Sequence, residues 1–149
     1  MNLESKITSA LKDAMRNKDQ DSLVALRAIK SAIILHKTQR SSSDKLSKED
    51  EMKILQKLVK QRKESADIYL KQNRNDLAEP ELSEAKVIKQ FLPKSLSEDQ
   101  VKEIVKSIVD EIRAEGMKDM GKVMGLSTKK LMGRADGKMI STIVREFLS

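Results

Sequence analysis

Apolar residues recur along this chain at spacings of three and four, and nowhere do they alternate with polar ones over a strand's length. That is the period of an α-helix with one covered face, and it predicts an all-α protein. Leu3, Ile7, Leu11 and Met15 form a first stripe. A second helix is expected from about Asp21, a candidate cap, to Gln39. Leu23, Leu26, Ile29, Ile33 and Ile34 make its main face, and Val24, Ala25, Ala28, Ala32 and Leu35 cover most of the rest. Such a helix is expected to be central and covered on several sides. Ser41-Ser42-Ser43-Asp44 is a polar break. Ser47 then opens a third helix to about Lys71, with Met52, Leu55, Leu58, Val59, Ala66 and Tyr69 facing one way. A fourth is expected from about Leu77 to Leu92, with Pro80 tolerated near the first turn and Pro93 ending it.

Ser97 and Gln100 form a capping-box pair before a fifth helix carrying Val101, Ile104, Val105, Ile108 and Ile112. Gly116 is expected to end it in a left-handed conformation. Asp119 is a candidate cap for a sixth helix to about Met132. Gly133-Arg134-Ala135-Asp136-Gly137 is a turn, and Asp136 caps a last helix bearing Met139, Ile140, Ile143, Val144, Phe147 and Leu148. The expected organisation is an N-terminal four-helix unit, residues 1–93, and a small three-helix C-terminal domain, residues 97–149.

Composition removes whole classes of function. With no cysteine there is no disulfide scaffold and no thiolate metal site, which fits a reducing cytoplasm. A single histidine, His36, cannot build a histidine metal cage, and no P-loop sequence is present. His36 itself suits the negative end of the second helix. No apolar run exceeds the four residues of Ala32 to Leu35, far short of the roughly 20 residues of a membrane span. The start, MNLESKITSALK, has no apolar core of a signal peptide. A cytoplasmic protein without metal, cofactor or membrane partner is expected.

The net charge is +7, and it is unevenly placed: +7 over residues 1–74, −4 over 75–115 and +4 over 116–149. Lys53, Lys57, Lys60 and Lys63 line the third helix, either as a solvated face or as a phosphate-facing strip. Arg62 falls inside that helix's apolar stripe, where its stem packs and its head is expected to pair with a carboxylate. Arg27 and Lys30 share the thin polar side of the second helix as surface or pairing groups. All five glycines fall in the last 34 residues, together with five of the eight methionines. The methionines are flexible filler for a core poor in aromatics. Gly121 and Gly125, one turn apart, imply close approach of another backbone, from a packed helix or from a nucleic acid, because helical glycine costs about 1 kcal/mol against alanine. Lys122 and Lys129 share a neighbouring face. Lys130, Arg134 and Lys138 surround the following turn, where the free N–H groups of the last helix also favour an anion. Only Tyr69, Phe91 and Phe147 are aromatic, so base stacking has almost no platform and any RNA is recognised by backbone and shape.

Five blocks carry a family resemblance: LRAIKSAI (Leu26 to Ile33), KQRKESADIY (Lys60 to Tyr69), IKQFLPKSLSED (Ile88 to Asp99), DMGKVMG (Asp119 to Gly125) and GRADGKMISTIVREFL (Gly133 to Leu148). In order and over nearly the whole chain they resemble the GatB/YqeY-domain proteins, in particular the free-standing YqeY-like members. The resemblance implies an N-terminal helical bundle and a small helical C-terminal domain. It makes that domain similar to the tail of the GatB component of the aspartyl/glutamyl-tRNA amidotransferase, a tail implicated in gripping tRNA. It implies tRNA contact at Gly121-Lys122 and Gly133-Arg134-Ala135-Asp136, with amidotransferase or synthetase components as further candidate partners. Family members often carry Lys where this chain has Gly125, which removes one charge from the basic patch.

A carbon–nitrogen ligase label with glutamine as amido donor would follow from domain membership alone, because no catalytic residue is identifiable. The expectation is a non-catalytic tRNA-binding or amidotransferase-accessory protein. Its contacts would be Lys122, Lys129, Lys130, Arg134 and Lys138, beside the close-approach glycines Gly121, Gly125 and Gly133. A helical protein-interaction adaptor is the alternative.

Overall fold

A computed structural model describes residues 2–39 and 46–149. Among these residues the chain forms seven α-helices, one 3-10 turn and no strand. The polar break at Ser41–Asp44 lies outside the described residues. The chain divides into two compact units, Met1–Leu92 and Pro93–Ser149.

In the first unit, α1 (Leu3–Asn17) starts where the Asn2 side chain accepts the Ser5 N–H at 2.9 Å and ends on Lys18 at φ 55°. α2 (Gln20–Gln39) begins one residue before the expected Asp21. Its N-terminal carboxylate is Asp19, which accepts both the N–H and the hydroxyl of Ser22 at 3.2 and 2.6 Å. Those bonds hold the Asp19 carboxyl below its ordinary range. Asp21 instead accepts the Ser83 hydroxyl at 3.0 Å.

α2 buries Leu23, Ala25, Leu26, Ile29 and Ile33 against α1, α3 (Lys48–Lys71) and α4 (Asn75–Lys89). The expected cover is incomplete, however. Val24, Ile34 and Leu35 stand 49%, 55% and 58% exposed, because three neighbours do not close the circle around α2.

α3 opens with the Ser47 hydroxyl accepting the Asp50 N–H at 3.0 Å, as its sequence predicts. α4 is shifted from expectation: it starts at Asn75, and Gln90–Leu92 form tight turns rather than helix. Pro80 is therefore the sixth helical residue, past the first turn, and removes the donor to the Asp76 carbonyl. Both residues are exposed, so the weakened turn faces solvent. Small residues Ala66, Ala78 and Ala85 let α3 and α4 pack closely along their length.

The second unit holds α5 (Glu98–Ile112), a 3-10 turn (Met117–Asp119), α6 (Met120–Lys130) and α7 (Gly137–Leu148). The capping box at α5 is complete, with Ser97 and Gln100 exchanging bonds of 2.9 and 3.2 Å. Arg113, at φ 54°, closes α5 in place of the expected Gly116, which takes φ 157° and ψ −162°, a positive-φ conformation outside the left-handed helical region and essentially confined to glycine. Asp119 does not cap α6; its carboxylate turns back to accept the Glu115 N–H at 2.8 Å. α6 stops at Lys130, two residues early. Val101, Val105, Ile108, Val123, Leu131, Ile140, Ile143, Val144 and Leu148 form the core, with Met120, Met124 and Met139 packed against it. Those three act as filler, whereas Met117 is half exposed.

Candidate nucleic-acid interface

α6 has two sides. At 100° per residue, Val123, Ser127, Met120 and Met124 share one arc, and this arc is buried or half-buried against α5 and α7. The opposite arc holds Thr128, Gly121, Gly125, Lys129, Lys122, Leu126 and Lys130 in that angular order, all exposed. A Cβ added at Gly121 or Gly125 would meet nothing within 4 Å. No helix among the described residues therefore explains the two glycines. They leave a shallow strip of bare backbone with Lys129 and Lys122 along one border and Thr128 along the other. Thr128 was not singled out from sequence. Its spacing of three from Gly125 and seven from Gly121 is the signal that places it there.

Lys122, Lys129, Lys130 and Lys138 are exposed and form no ion pair among the described residues. Lys129 and Lys130 also occupy the last turn of α6, where positive charge suits the free carbonyls. Gly133 takes φ 78°, a backbone geometry open to glycine, and lets the chain reverse toward α7.

Arg134 is half-buried in that turn. One guanidinium N–H donates to the Lys130 carbonyl at 3.4 Å, and its own carbonyl accepts the Leu96 N–H at 2.8 Å. Arg134 thus also ties the start of the unit to its α6–α7 turn. The first N–H groups of α7 are partly answered from within, since the Asp136 carboxylate accepts the Lys138 N–H at 3.4 Å. Ser127 is fully buried, and its hydroxyl has no partner among the described residues.

The basic strip on α3 is different in kind. Lys53 pairs with Glu49 at 3.2 Å. The ammonium of Lys63 lies beside that of Lys89 on α4, and this contact, together with burial, pushes Lys89 below the ordinary lysine range. Lys57 and Lys60 are exposed. Arg62 does what its position in the apolar stripe predicts. Its Nε donates to Glu84 Oε1 at 3.3 Å, with both side chains 14% exposed, and Nη1 donates to the Leu58 carbonyl at 3.2 Å. Burial raises Glu84 above the usual carboxylate range, and the Arg62 charge offsets part of that. His36 Nε2 faces Asp50 Oδ2 at 3.6 Å across the junction of α2 and α3.

Fold and surface define a class: an all-helical protein of two small units, with four unpaired lysines of the second unit on and beside an α6 whose glycines are exposed. Among the described residues there is no cluster of histidine and carboxylate groups able to hold a metal, and no helix is long and apolar enough to cross a membrane.

The chain belongs to the Yqey-like protein family, whose model matches residues 4–148. It is 44% identical over 70 residues to a glutamyl-tRNA(Gln) amidotransferase subunit of Thermococcus gammatolerans, covering 44% of this chain and 11% of that protein. It is also 32% identical over 146 residues to the altered inheritance of mitochondria protein 41, mitochondrial, of Lachancea thermotolerans, covering 92% and 76%. The same-named protein of Pyrenophora tritici-repentis is 28% identical over 145 residues, covering 95% and 78%. The chain therefore spans only a small part of the amidotransferase subunit but most of the mitochondrial proteins.

Proposed function

We propose that this protein is a non-catalytic accessory that holds tRNA by backbone and shape, with the exposed arc of α6 as its principal contact. One observation carries this reading. Gly121 and Gly125 sit within α6 without any described neighbour in the chain to justify them, and they do so beside two lysines that no carboxylate among the described residues neutralises. Bare backbone flanked by cations fits a sugar–phosphate chain, which needs close approach and positive charge and no aromatic platform. Lys130, Lys138 and Arg134 extend the patch around the turn. The amidotransferase subunit similar to this chain carries a tRNA in its own name, which supports tRNA over other polyanions. Its amide-transfer chemistry is not carried over, because the shared segment is 11% of that protein. Association with amidotransferase components in a reducing cytoplasm completes the proposal; the absence of cysteine is compatible with it.

Filter binding of bulk tRNA at several salt concentrations tests the reading. Neutralising about four phosphates gives a slope of log affinity against log salt of about −3. A flat salt dependence, or no binding at low salt, removes the proposal. A stoichiometric protein partner recovered equally after nuclease treatment, on a protein that binds no tRNA at low salt, would favour the adaptor reading instead.

A further inference from the structure

The exposed side of α2 is a second surface that the RNA reading leaves unused. Two rows at helical spacing run along it: Val24, Ala28, Ser31 and Leu35, and beside them Arg27, Ser31, Ile34 and Thr38. Val24, Ile34 and Leu35 are 49%, 55% and 58% exposed on a helix whose other side is core. Along the length of this side the charges are positive, with Asp21 at its N-terminal end. Arg27 and Lys30 carry them, and neither forms an ion pair among the described residues. The only carboxylate of α2, Asp21, is engaged by Ser83.

At the edge of the face a cleft of about 110 Å³ opens between α1 and α2. Ile7 and Ile33 form its floor; Lys30, Ile34 and Lys37 stand at its rim. The acid at that rim, Glu4, is already paired with Lys37. At ~30 Å³ per water, the cleft takes one branched aliphatic side chain.

We propose that this face docks an acidic amphipathic helix of a protein partner, with one aliphatic residue seated in the α1–α2 cleft. Val24, Ala28 and Leu35, with Ile34 beside them, fit the i, i+3, i+4 and i+7 anchors of a helix laid along α2, and Arg27 and Lys30 fit its acidic flanks. A second copy of this chain fits poorly. Pairing the face with itself about a two-fold axis would gather Arg27 and Lys30 of both copies in one interface that supplies no matching excess of carboxylates. RNA fits poorly as well, because three exposed aliphatic side chains offer a phosphate nothing and this face of α2 carries no aromatic ring for a base.

The test is an NMR titration of the full chain with a synthetic peptide of about five helical turns. The peptide carries Leu and Ile on one face and Glu on the other, and its counterpart has Lys in place of Glu. The expected result is perturbation of Val24, Arg27, Ser31, Ile34 and Leu35 by the acidic peptide only. Arg27→Glu with Lys30→Glu should weaken that peptide at least tenfold and admit the Lys peptide. Both side chains are exposed, so circular dichroism should show the fold unchanged.

Four outcomes overturn the proposal: no perturbation by the acidic peptide, equal response to both peptides, perturbation of the same residues by bulk tRNA, or self-association that Ile34→Glu abolishes. Failure of tRNA to bind the α6 face would leave this result untouched.

Discussion

The two units set their cations beside different neighbours. In the first, Arg62, Lys53, Lys37 and Arg74 have acid partners in Glu84, Glu49, Glu4 and Asp76, while Lys57 and Lys60 of α3 are exposed and unpaired among the described residues. In the second, Lys122, Lys129, Lys130 and Lys138 stand without acid partners beside exposed glycines. The first unit has the larger formal excess, and the second has the surface we propose for a polyanion. Net charge counts both alike. Pairing and local relief separate them, because a cation already neutralised at 3 Å has little field left for a phosphate.

The most direct challenge to this contrast is to remove each set of lysines in turn. Changing Lys122, Lys129, Lys130 and Lys138 together to Ala should lower tRNA affinity about a hundredfold or more at low salt and take the salt slope toward zero. Changing Lys53, Lys57, Lys60 and Lys63 to Ala should cost less than about tenfold and shift the slope by no more than about one. Equal losses from both sets, in filter binding at matched salt, would show that total charge alone governs binding.

Arg62 tests the other half of the contrast, that charge in the first unit is structural. Arg62→Ala leaves the half-desolvated Glu84 carboxylate without its partner and should cost about 2–4 kcal/mol in urea unfolding. Its tRNA affinity, measured where the protein is folded, should be unchanged. Glu84→Gln is the control.

A carboxyl raised by burial binds its proton more tightly folded than unfolded. Its stabilising contribution is therefore present at pH below its unfolded value and is lost as pH rises through the carboxylate range. Glu84→Gln should remove that part of the falling slope. Asp19 and Asp76 are lowered by their hydrogen bonds and act in the opposite sense, so the Gln variant isolates Glu84. A pH profile unchanged by Glu84→Gln would remove the burial argument.

Gly125 sits in the middle of α6 with open space where a Cβ would go. Gly125→Ala should therefore stabilise the second unit by about 1 kcal/mol. Measured together with it, tRNA affinity should fall several-fold as the methyl group holds the phosphate chain off the helix. Gain of stability without loss of binding would show that the bare strip is not a contact. Loss of stability would mean that the helix packs there after all.

The helical period made the class of fold legible, and so did three of the caps. Ser47, Ser97 and Asp136 act through short-range chemistry that sequence displays directly. The errors cluster where tertiary contacts decide. Asp119 had the right spacing to cap α6 but found the Glu115 N–H first. α2 looked apolar all round, yet which of its sides has neighbours depends on how α1, α3 and α4 are arranged about it. The lysines and glycines of the candidate interface were visible as residues. Their lack of partners was not, since pairing depends on which carboxylates the fold brings near, and Thr128 joined the strip only once the arc of α6 was placed.

A slighter difference lies in how the two units end their helices. Lys18, Asn73 and Arg113 all adopt left-handed backbone without being glycine, at φ 55°, 59° and 54°. Gly116, three residues past Arg113, lies outside that conformation. Left-handed geometry costs a residue with a Cβ about 1–2 kcal/mol, while glycine loses about 0.5–1 kcal/mol more backbone entropy on folding. Arg113→Gly should therefore stabilise the second unit by about 0.5 kcal/mol. Lys18→Gly should do the same for the first, giving matched small rises in unfolding midpoint. Arg113 forms no ion pair among the described residues, so its loss removes no attraction that would offset the gain. A fall in midpoint for Arg113→Gly alone would show that this arginine holds a contact at the second unit's surface, and would add it to the cations that distinguish that unit from the first.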